Sequence, residues 1–481
     1  MKKISTLQMT CLAFSISCYS GFAFAESQFT ALTDDELAQV EAQSLLNLEI
    51  TAPNQASPQM QAANIGFYKL STQAEMELNV NIRKLQLGCG GYNGAGACDI
   101  DIDYLSLSGL GNTSDERASS SAFINNPFIE FAIKNPNAAS TREVVGFRLS
   151  AEKVQGLLTT GLENTGQANG INRFSGYMQI QSGIGQTAEE RSKLKGYANT
   201  AAAYMDLSKY PIQGKMEALG LATVDFTTNG GGFNIPAMNN LPFETDSIVI
   251  NGNRQTKASL TAGVNIPTIY LGSGANYPSA GRVTSNPNDP YQTTTAVYTA
   301  GTPVNAVITA CSSPITLGIA CVAALPGREF NSIRMQGQVE GARAQVNFEE
   351  ALGFVHQIQL NSAFSLSLQR EDVHWPGFAA ANIAKRGWWL SVADPVSIGE
   401  IIPDERLSIE PLLGQFAQQA GNYLQQNPAQ TSDIAGVLTG NNLEANIGTI
   451  RPSTPLMMNL QDLKLRGQDF APNCFGGYKF C

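Results

Sequence analysis

The cysteines are the residues of this sequence whose type and spacing indicate chemistry most clearly. Eight are present, and six of them lie in three close pairs: Cys89 and Cys98, Cys311 and Cys321, and Cys474 and Cys481. The members of each pair are too widely spaced for a C-x-x-C redox site or a zinc knuckle. Paired thiols in an exported protein form disulfides. The spacing therefore predicts three small loops, each closed by a local disulfide.

Other candidates for chemistry are few. The two histidines, His356 and His374, are not accompanied by a nucleophile elbow or another ordered catalytic motif. We therefore interpret both as core or surface residues. The glycine-dense stretch 88–96 lacks the spacing of a nucleotide-binding loop. The sequence accordingly predicts a non-enzymatic protein with no catalytic residue, no metal site and no cofactor.

Three alternating aspartates resemble the start of a calcium-binding loop. They are Asp99, Asp101 and Asp103. A calcium loop needs glycine where Tyr104 stands and glutamate where Leu110 stands, so the pattern departs from the motif at two positions. We favour a solvated polar face of a strand over a calcium site.

One region is rich in aromatic residues. Trp375 follows His374, and Trp388 and Trp389 are adjacent a few residues later. Such rings pack in a core or stack on a sugar or a protein partner. Core packing is the favoured interpretation, and the three tryptophans are kept as candidate partner-binding residues.

The N-terminus and the composition indicate export. Residues 1–25 combine Lys2 and Lys3, an apolar stretch and an Ala-Phe-Ala cleavage pattern at Ala23–Ala25, which predicts a signal peptide. Charged residues make up only 15% of the chain, Gly is frequent at 45, and the net charge is −10. No basic stripe is present, so nucleic acid is not an expected partner.

An amphipathic helix is predicted in residues 26–63. Thr33 and Glu36 form a capping box, and Leu32 and Leu37 have the spacing of a hydrophobic staple. Leu37 and Val40 then lie on one face, where they are candidates for contact with a partner. The proline- and glutamine-containing stretch 51–63 is interpreted as a linker.

A strand pattern that shifts phase recurs through the rest of the chain. Apolar residues are separated by two, three and two positions in 80–88, and the same spacing returns in 100–109, 264–272 and 458–467. A step of three moves the apolar side chains to the other face, as at a β-bulge or where a strand changes sheets. The predicted fold is mainly β, with short antiparallel strands in sandwich- or solenoid-like sheets, one N-terminal helix and few others.

The first two copies of this pattern predict a hairpin closed by the first cysteine pair. Opposed residues would have numbers that sum to 187, so that Leu85 faces Ile102 and Lys84 faces Asp103. The phase shifts of the two strands then fall opposite each other. This coincidence gives the register of the hairpin.

Two β-rich domains are expected, 64–285 and 286–481, with a boundary near the proline- and asparagine-rich stretch 281–291. Additional helices are predicted at 189–204 and, before Asn427-Pro428, at 411–425.

The segment Leu32-Thr-Asp-Asp-Glu-Leu37-Ala-Gln-Val40-Glu-Ala-Gln43, placed after a leader and before β-rich repeats, resembles the FilA-type pilus-assembly proteins of gram-negative bacteria. The resemblance implies an envelope or cell-surface protein tied to a fimbria-like filament, and it supplies no catalytic residues. The expected function is that of a component or accessory of such a filament, in pilus assembly or adhesion.

The alternative is a periplasmic or surface protein that binds carbohydrate or lipid. Expected partners are other filament or envelope proteins, further copies of the chain and the outer membrane. The expected location is the periplasm, the outer membrane or the cell surface.

Overall fold

The fold is mainly β, as the sequence predicts. The computed structural model describes residues 46–111, 113–162, 169–218, 222–272, 296–312, 321, 326–461 and 463–465. The predicted helix with Leu37 and Val40, the signal peptide, the 281–291 boundary and the Cys474–Cys481 pair lie outside these residues. Within the described ranges, no helix combines the length and the apolar character needed to span a bilayer.

The strands are described in chain order. They are β1 (Leu46–Thr51), β2 (Ile65–Thr72), β3 (Glu75–Leu78), β4 (Val80–Leu87), β5 (Ile100–Ser108), β6 (Ala122–Lys134), β7 (Glu143–Thr159), β8 (Ile171–Gln181), β9 (Leu194–Ala198), β10 (Ala203–Asp206), β11 (Gln213–Ala218), β12 (Ala222–Ile235), β13 (Leu241–Thr245), β14 (Ile248–Gln255), β15 (Lys257–Asn265), β16 (Thr268–Gly272), β17 (Ala296–Tyr298), β18 (Ala300–Ser312), β19 (Glu329–Val339), β20 (Arg343–Ala351), β21 (Gln357–Ser362), β22 (Phe364–Gln369), β23 (Gly387–Val392), β24 (Val396–Ser397), β25 (Ala429–Thr431), β26 (Glu444–Ile450) and β27 (Leu456–Gln461).

Five α-helices lie among these strands in the described ranges. They are α1 (Pro58–Ala62), α2 (Ser114–Ala118), α3 (Ala188–Ser192), α4 (Glu410–Gln426) and α5 (Ile434–Thr439), and 3-10 turns cover Pro53–Gln55 and Leu352–Phe354.

The strands form three sheets of thirteen, nine and five strands. The large sheet runs β1-β2-β6-β7-β22-β23-β8-β5-β4, and an additional β5–β7 pairing closes five of these strands into a ring. The second sheet contains β10 to β12, β16 to β19, β25 and β26, and the third contains β9, β13, β15, β20 and β27. Each sheet takes strands from both sides of residue 285, so the sheets do not follow the expected boundary between two β domains.

The predicted hairpin is confirmed with its register. β4 and β5 are antiparallel, with Leu85 opposite Ile102 and Lys84 opposite Asp103. Tyr104 has a positive φ of 48°. It stands where the apolar spacing widens to three, and this left-handed residue moves the following side chains to the other face of the strand.

The third copy of the pattern, 264–272, marks a change of sheet instead. Val264 belongs to β15 of the third sheet, while Leu271 belongs to β16 of the second sheet. Pro267 lies between the two strands, where its missing N–H cannot join a strand ladder. The step of three residues is therefore the point at which the chain passes from one sheet to the other.

The helix predictions have mixed outcomes. The helix expected at 411–425 is confirmed as α4, whose face with Leu413, Ala420 and Leu424 is buried. The helix expected at 189–204 is wrong in its extent. Only the five residues of α3 are helical, capped by Thr187 and Glu190. Leu194–Ala198 is a strand paired with β13, because its alternating buried side chains fit a sheet.

The stretch 51–63 is more ordered than the predicted linker. It contains the Pro53–Gln55 turn and α1, and Met60 is buried against Ile65 and Phe67. Its prolines begin helical turns, where a missing N–H costs little.

Two of the three predicted disulfides are present, Cys89–Cys98 and Cys311–Cys321. They indicate an oxidising environment and hence an exported protein.

The first disulfide loop is held by a buried charge. Asp99 accepts hydrogen bonds from Arg254 Nε at 3.0 Å, from Asn93 Nδ2 at 2.7 Å and from the backbone N–H of Trp388 at 3.1 Å. Arg254 also donates to the Asn93 carbonyl at 2.8 Å. Gly88 adjoins the carboxylate, where a Cβ would lie 2.3 Å from Asp99 Oδ2. One carboxylate thus joins the loop to β14 and β23.

We predict that Asp99→Ala lowers the free energy of unfolding by about 3 kcal/mol, because it leaves the largely buried Arg254 guanidinium without its carboxylate. Urea unfolding followed by fluorescence measures the change. The control is Glu349→Gln, which breaks an exposed pair with Lys257 and should cost less than about 1 kcal/mol. Equal losses in the two variants would contradict the role of Asp99.

Lys84 lies 2.6 Å from Asp101 and 2.8 Å from Asp103, across the hairpin. Burial alone raises the pKa of Asp101, but hydrogen bonds from Lys84, Gln86 and Asn172 outweigh it and hold this pKa below its ordinary value. The hydrogen bonds of Lys84 to Asp101 and Asp103 raise the pKa of Lys84.

We predict that Asp101→Asn weakens the acid dependence of stability. A carboxyl group whose pKa is lowered by folding stabilises the fold at pH values above its unfolded-state pKa. This contribution is lost as the pH falls through the folded-state pKa. Urea midpoints of both proteins between about pH 5 and pH 2 measure it. An unchanged slope in the variant would show that Asp101 does not supply this stability.

Candidate functional site

An exposed apolar surface covers the outer side of β1, β2, β6 and β7. Strand pairing places four apolar side chains in each of two cross-strand rows. We call these eight residues the apolar face; they are Leu48, Leu70, Ile129 and Leu149 in the first row, and Ile50, Tyr68, Phe131 and Phe147 in the second.

The side chains of this face are open to solvent to an unusual degree. Leu48 is 61% exposed, Ile50 is 52% exposed and Leu149 is 44% exposed. Single exposed apolar residues are common on proteins, but a contiguous group of them marks a surface that another molecule covers. Four strands spaced about 4.8 Å apart give the face a width of about 19 Å.

The apolar face has two different borders. Beyond β7 the rows continue to Leu366 and Leu368 on β22. Leu366 packs against the main hydrophobic core, whereas Leu368 is still 41% exposed. In the other direction the face extends to β1, the last strand of this sheet in the described part of the chain. Packing therefore closes the first row beyond β7, while the second row stays open to solvent at Leu368.

The opposite side of the same strands carries charge. Glu49, Lys69, Glu130 and Arg148 form one cross-strand row of alternating sign. Lys69 Nζ lies 3.5 Å from Glu49, and Arg148 donates a hydrogen bond to Glu130. The side chains of Glu130 and Arg148 are 3% and 4% exposed. Burial raises the pKa of Glu130, against the opposing influence of Arg148.

This charged row explains why the apolar side chains point outwards. A shift of one residue along a strand moves every side chain to the other face. In β6 and β7 such a shift would bring the apolar row inside but would separate Arg148 from Glu130 and from the rings of Phe128 and Trp375, each 5.1 Å from its guanidinium. The inner contacts of Arg148 therefore fix the register.

Among the described residues, β1 is the last strand of the large sheet, and its sequence lacks the features that usually prevent an edge strand from pairing. In the described part of the chain its strand pairing is with β2. Its sequence, Leu-Asn-Leu-Glu-Ile-Thr, has no proline, no lysine and no bulge, and Glu49 is its single charged residue. Edge strands that avoid pairing with another chain often carry proline, lysine or a β-bulge. β4, at the other end of the large sheet, contains Arg83 and Lys84.

The tryptophans do not form a partner-binding surface. Trp375 and Trp389 are 2% and 0% exposed and lie in one buried cluster with Phe67 and Val145, so the expectation of partner contact through them is wrong. Trp389 also donates to Asn382 at 3.3 Å. Trp388 is partly buried against the main core. Core packing, the favoured interpretation of these rings, accounts for their positions.

The other residues considered for chemistry are separated in the structure. His356 Nδ1 lies 3.0 Å from the Thr160 carbonyl, and His374 Nε2 lies 3.1 Å from that of Ala379. Among the described residues, no group of three or more His, Cys, Asp or Glu side chains is arranged to hold a metal ion.

Sequence reasoning missed the apolar face. The signal was present in the strict alternation of Leu46-Asn-Leu48-Glu-Ile50, but alternation of this kind normally indicates a strand with its apolar side in the core. Alternation does not reveal which side faces water.

A separate groove of about 480 Å³ lies between α4 and the segment before β11. Its polar lining is neutral apart from Lys209, which pairs with Glu410. Its lining includes Tyr210, Gln418, Asn422 and Gln425.

Comparisons of this chain with protein-family models, with curated proteins and with solved structures found no match.

Proposed function

We propose that this chain is an exported, non-enzymatic protein of the bacterial envelope or cell surface that serves as a component or accessory of a fimbria-like filament. The single observation that carries the proposal is the apolar face, which extends to β1, the last strand of the large sheet among the described residues. The two disulfides support a location outside the cytoplasm. The partners are other filament or envelope proteins.

The proposed mechanism is packing of the apolar face against another protein of the assembly. Burying exposed apolar surface contributes about 25 cal/mol per Å², and stable interfaces bury about 800 Å² on each partner. The eight residues of the face lie on a rigid sheet and lose little backbone freedom on binding. Because the face presents no charged side chain, binding does not require removal of water from an ion.

We predict that the double variant Leu70→Thr, Leu149→Thr loses assembly but keeps its fold. Threonine suits a strand and tolerates exposure, so unfolding midpoints should stay near those of the wild type. The amount of protein in sheared surface filaments should fall at least about ten-fold, since two central contacts of one row are lost.

The matched control is Val249→Thr, which changes an exposed apolar residue of β14 outside the apolar face. It should leave the filament fraction unchanged. Normal filament content in the Leu70, Leu149 double variant would overturn the proposed function.

The second candidate function is binding of a neutral carbohydrate, and the groove beside α4 is the observation that favours it. Gln418, Asn422 and Gln425 follow one another at helical spacing along this groove, with the Tyr210 ring at its end. Amides supply donors and acceptors for sugar hydroxyls, and a tyrosine ring offers apolar contact.

We predict that, if the groove binds carbohydrate, the wild-type protein retains neutral oligosaccharides on a glycan array and Gln418→Ala, Asn422→Ala loses at least about ten-fold of that signal. Gln430→Ala, outside the groove, is the control. Absence of glycan binding by the wild type would remove this candidate.

A further inference from the structure

We propose that this protein binds the apolar end of an alkyl chain in a cavity that lies between α4, the second sheet and the third sheet. The cavity has a volume of about 60 Å³. Its lining comes from β10, β12, β16, β19, β27, α4 and the segments beside them, and not from the strands of the apolar face. Occupation of this cavity therefore goes beyond the proposed function and does not depend on it.

The chemistry of the cavity walls selects a hydrocarbon group. The described residues that line the cavity are all apolar, and so is the surface that they present to it. They come from both sheets and from the helix, with Met205, Phe233 and Leu271 from the second sheet, Leu456 from the third and Leu412 from α4. A buried water needs about two to four polar partners, and a polar or charged group would lose its hydration without hydrogen bonds in return.

The size of the cavity fits the end of an alkyl chain. A cavity needs about 10–15 Å³ to hold one water, so this one has room for about four groups of that size, as methyl and methylene groups are. Three of its lining side chains are only partly buried, Ile266, Ile269 and Phe416. The cavity thus comes nearest to solvent where the chain passes from β15 to β16 beside α4. The rest of an alkyl chain and its polar head would remain outside at this place.

The helix above the cavity is held in place by two contacts. Gln415 donates from Nε2 to the Met457 carbonyl on β27 at 2.7 Å and accepts from the Met457 N–H at 2.7 Å. The backbone of α4 also lies close to β11, since a Cβ at Gly421 would be 2.8 Å from the Gln213 carbonyl oxygen. These contacts oppose a collapse of α4 into the cavity. The lining side chains therefore lack van der Waals contacts that a hydrocarbon group would supply.

The test is thermal unfolding of the full exported chain in the presence of 1-decanol, decanoate or decanedioate. A ligand that binds only the folded protein raises the unfolding midpoint. At about ten times the dissociation constant, we expect 1-decanol and decanoate to raise the midpoint by at least about 2 °C. Decanedioate is charged at both ends, so its rise should be less than about a fifth of this. Phosphatidylethanolamine vesicles distinguish the source of the chain: an equal rise with them assigns a membrane lipid, and a rise with the free amphiphiles alone assigns a free one.

Filling the cavity with a larger side chain should remove this rise. Ala342 lines the cavity and is 4% exposed. We expect Ala342→Leu to fold with a midpoint near or above that of the wild type and to lose the rise with 1-decanol. The matched control is Ala380→Leu, the same change at an exposed position outside the cavity, which should keep the rise. If Ala342→Leu does not fold, Val339→Ile decides, because it adds one carbon to the same cavity and should reduce the rise at least about two-fold.

Three results would overturn the inference: no rise with 1-decanol in the wild type, a full rise in the folded cavity-filling variant, or equal rises with decanoate and decanedioate. The variant Leu70→Thr, Leu149→Thr excludes binding of the alkyl chain to the apolar face, because it should keep the full rise. Loss of the rise in that variant, with a full rise in Ala342→Leu, would place the chain on the apolar face and remove the cavity site. The filament content measures the proposed function separately from all of these midpoints.

Discussion

The buried pair of Glu130 and Arg148 is the constraint on which the rest of the large sheet depends. Two charges are removed from water between β6 and β7, and the loss of either would leave the other uncompensated at a cost of about 3–5 kcal/mol. A buried pair of this kind is weak support for stability but strong support for one register. Because Arg148 must face inwards, Leu149 beside it must face outwards.

The apolar face is therefore a consequence of how the interior is built. Lys69 and Glu49 extend the charged row towards the edge, and Tyr68 and Ile50 extend the apolar row on the reverse side. The loop with Trp375 covers the inner side, where the ring lies over Arg148. No described element covers the outer side, whose leucines remain between 42% and 61% exposed.

The sequence allowed prediction where local spacing determines structure. The β4–β5 hairpin was predictable to the residue, since the phase shifts of the two neighbouring strands fall opposite each other and a disulfide fixes the ends of the strands. The extent of the 189–204 helix was not predictable, because the capping box of α3 is a genuine helix start that tertiary pairing of β9 then terminates. Trp375 and Trp389 were named for their chemistry, yet their burial depends on strands more than 200 residues away in the chain, such as β2.

In β1, as in other strands, the alternation of apolar and polar residues does not show which side faces water. A strand that reads Leu-Asn-Leu-Glu-Ile has the composition of a core strand, and at the end of a sheet such a strand would pair without selectivity if it carried no charge. Glu49 acts against this, because two negative charges directly opposite each other in neighbouring strands are destabilising. A single ionised residue on an otherwise apolar strand thus acts against aggregation without removing the apolar contact surface.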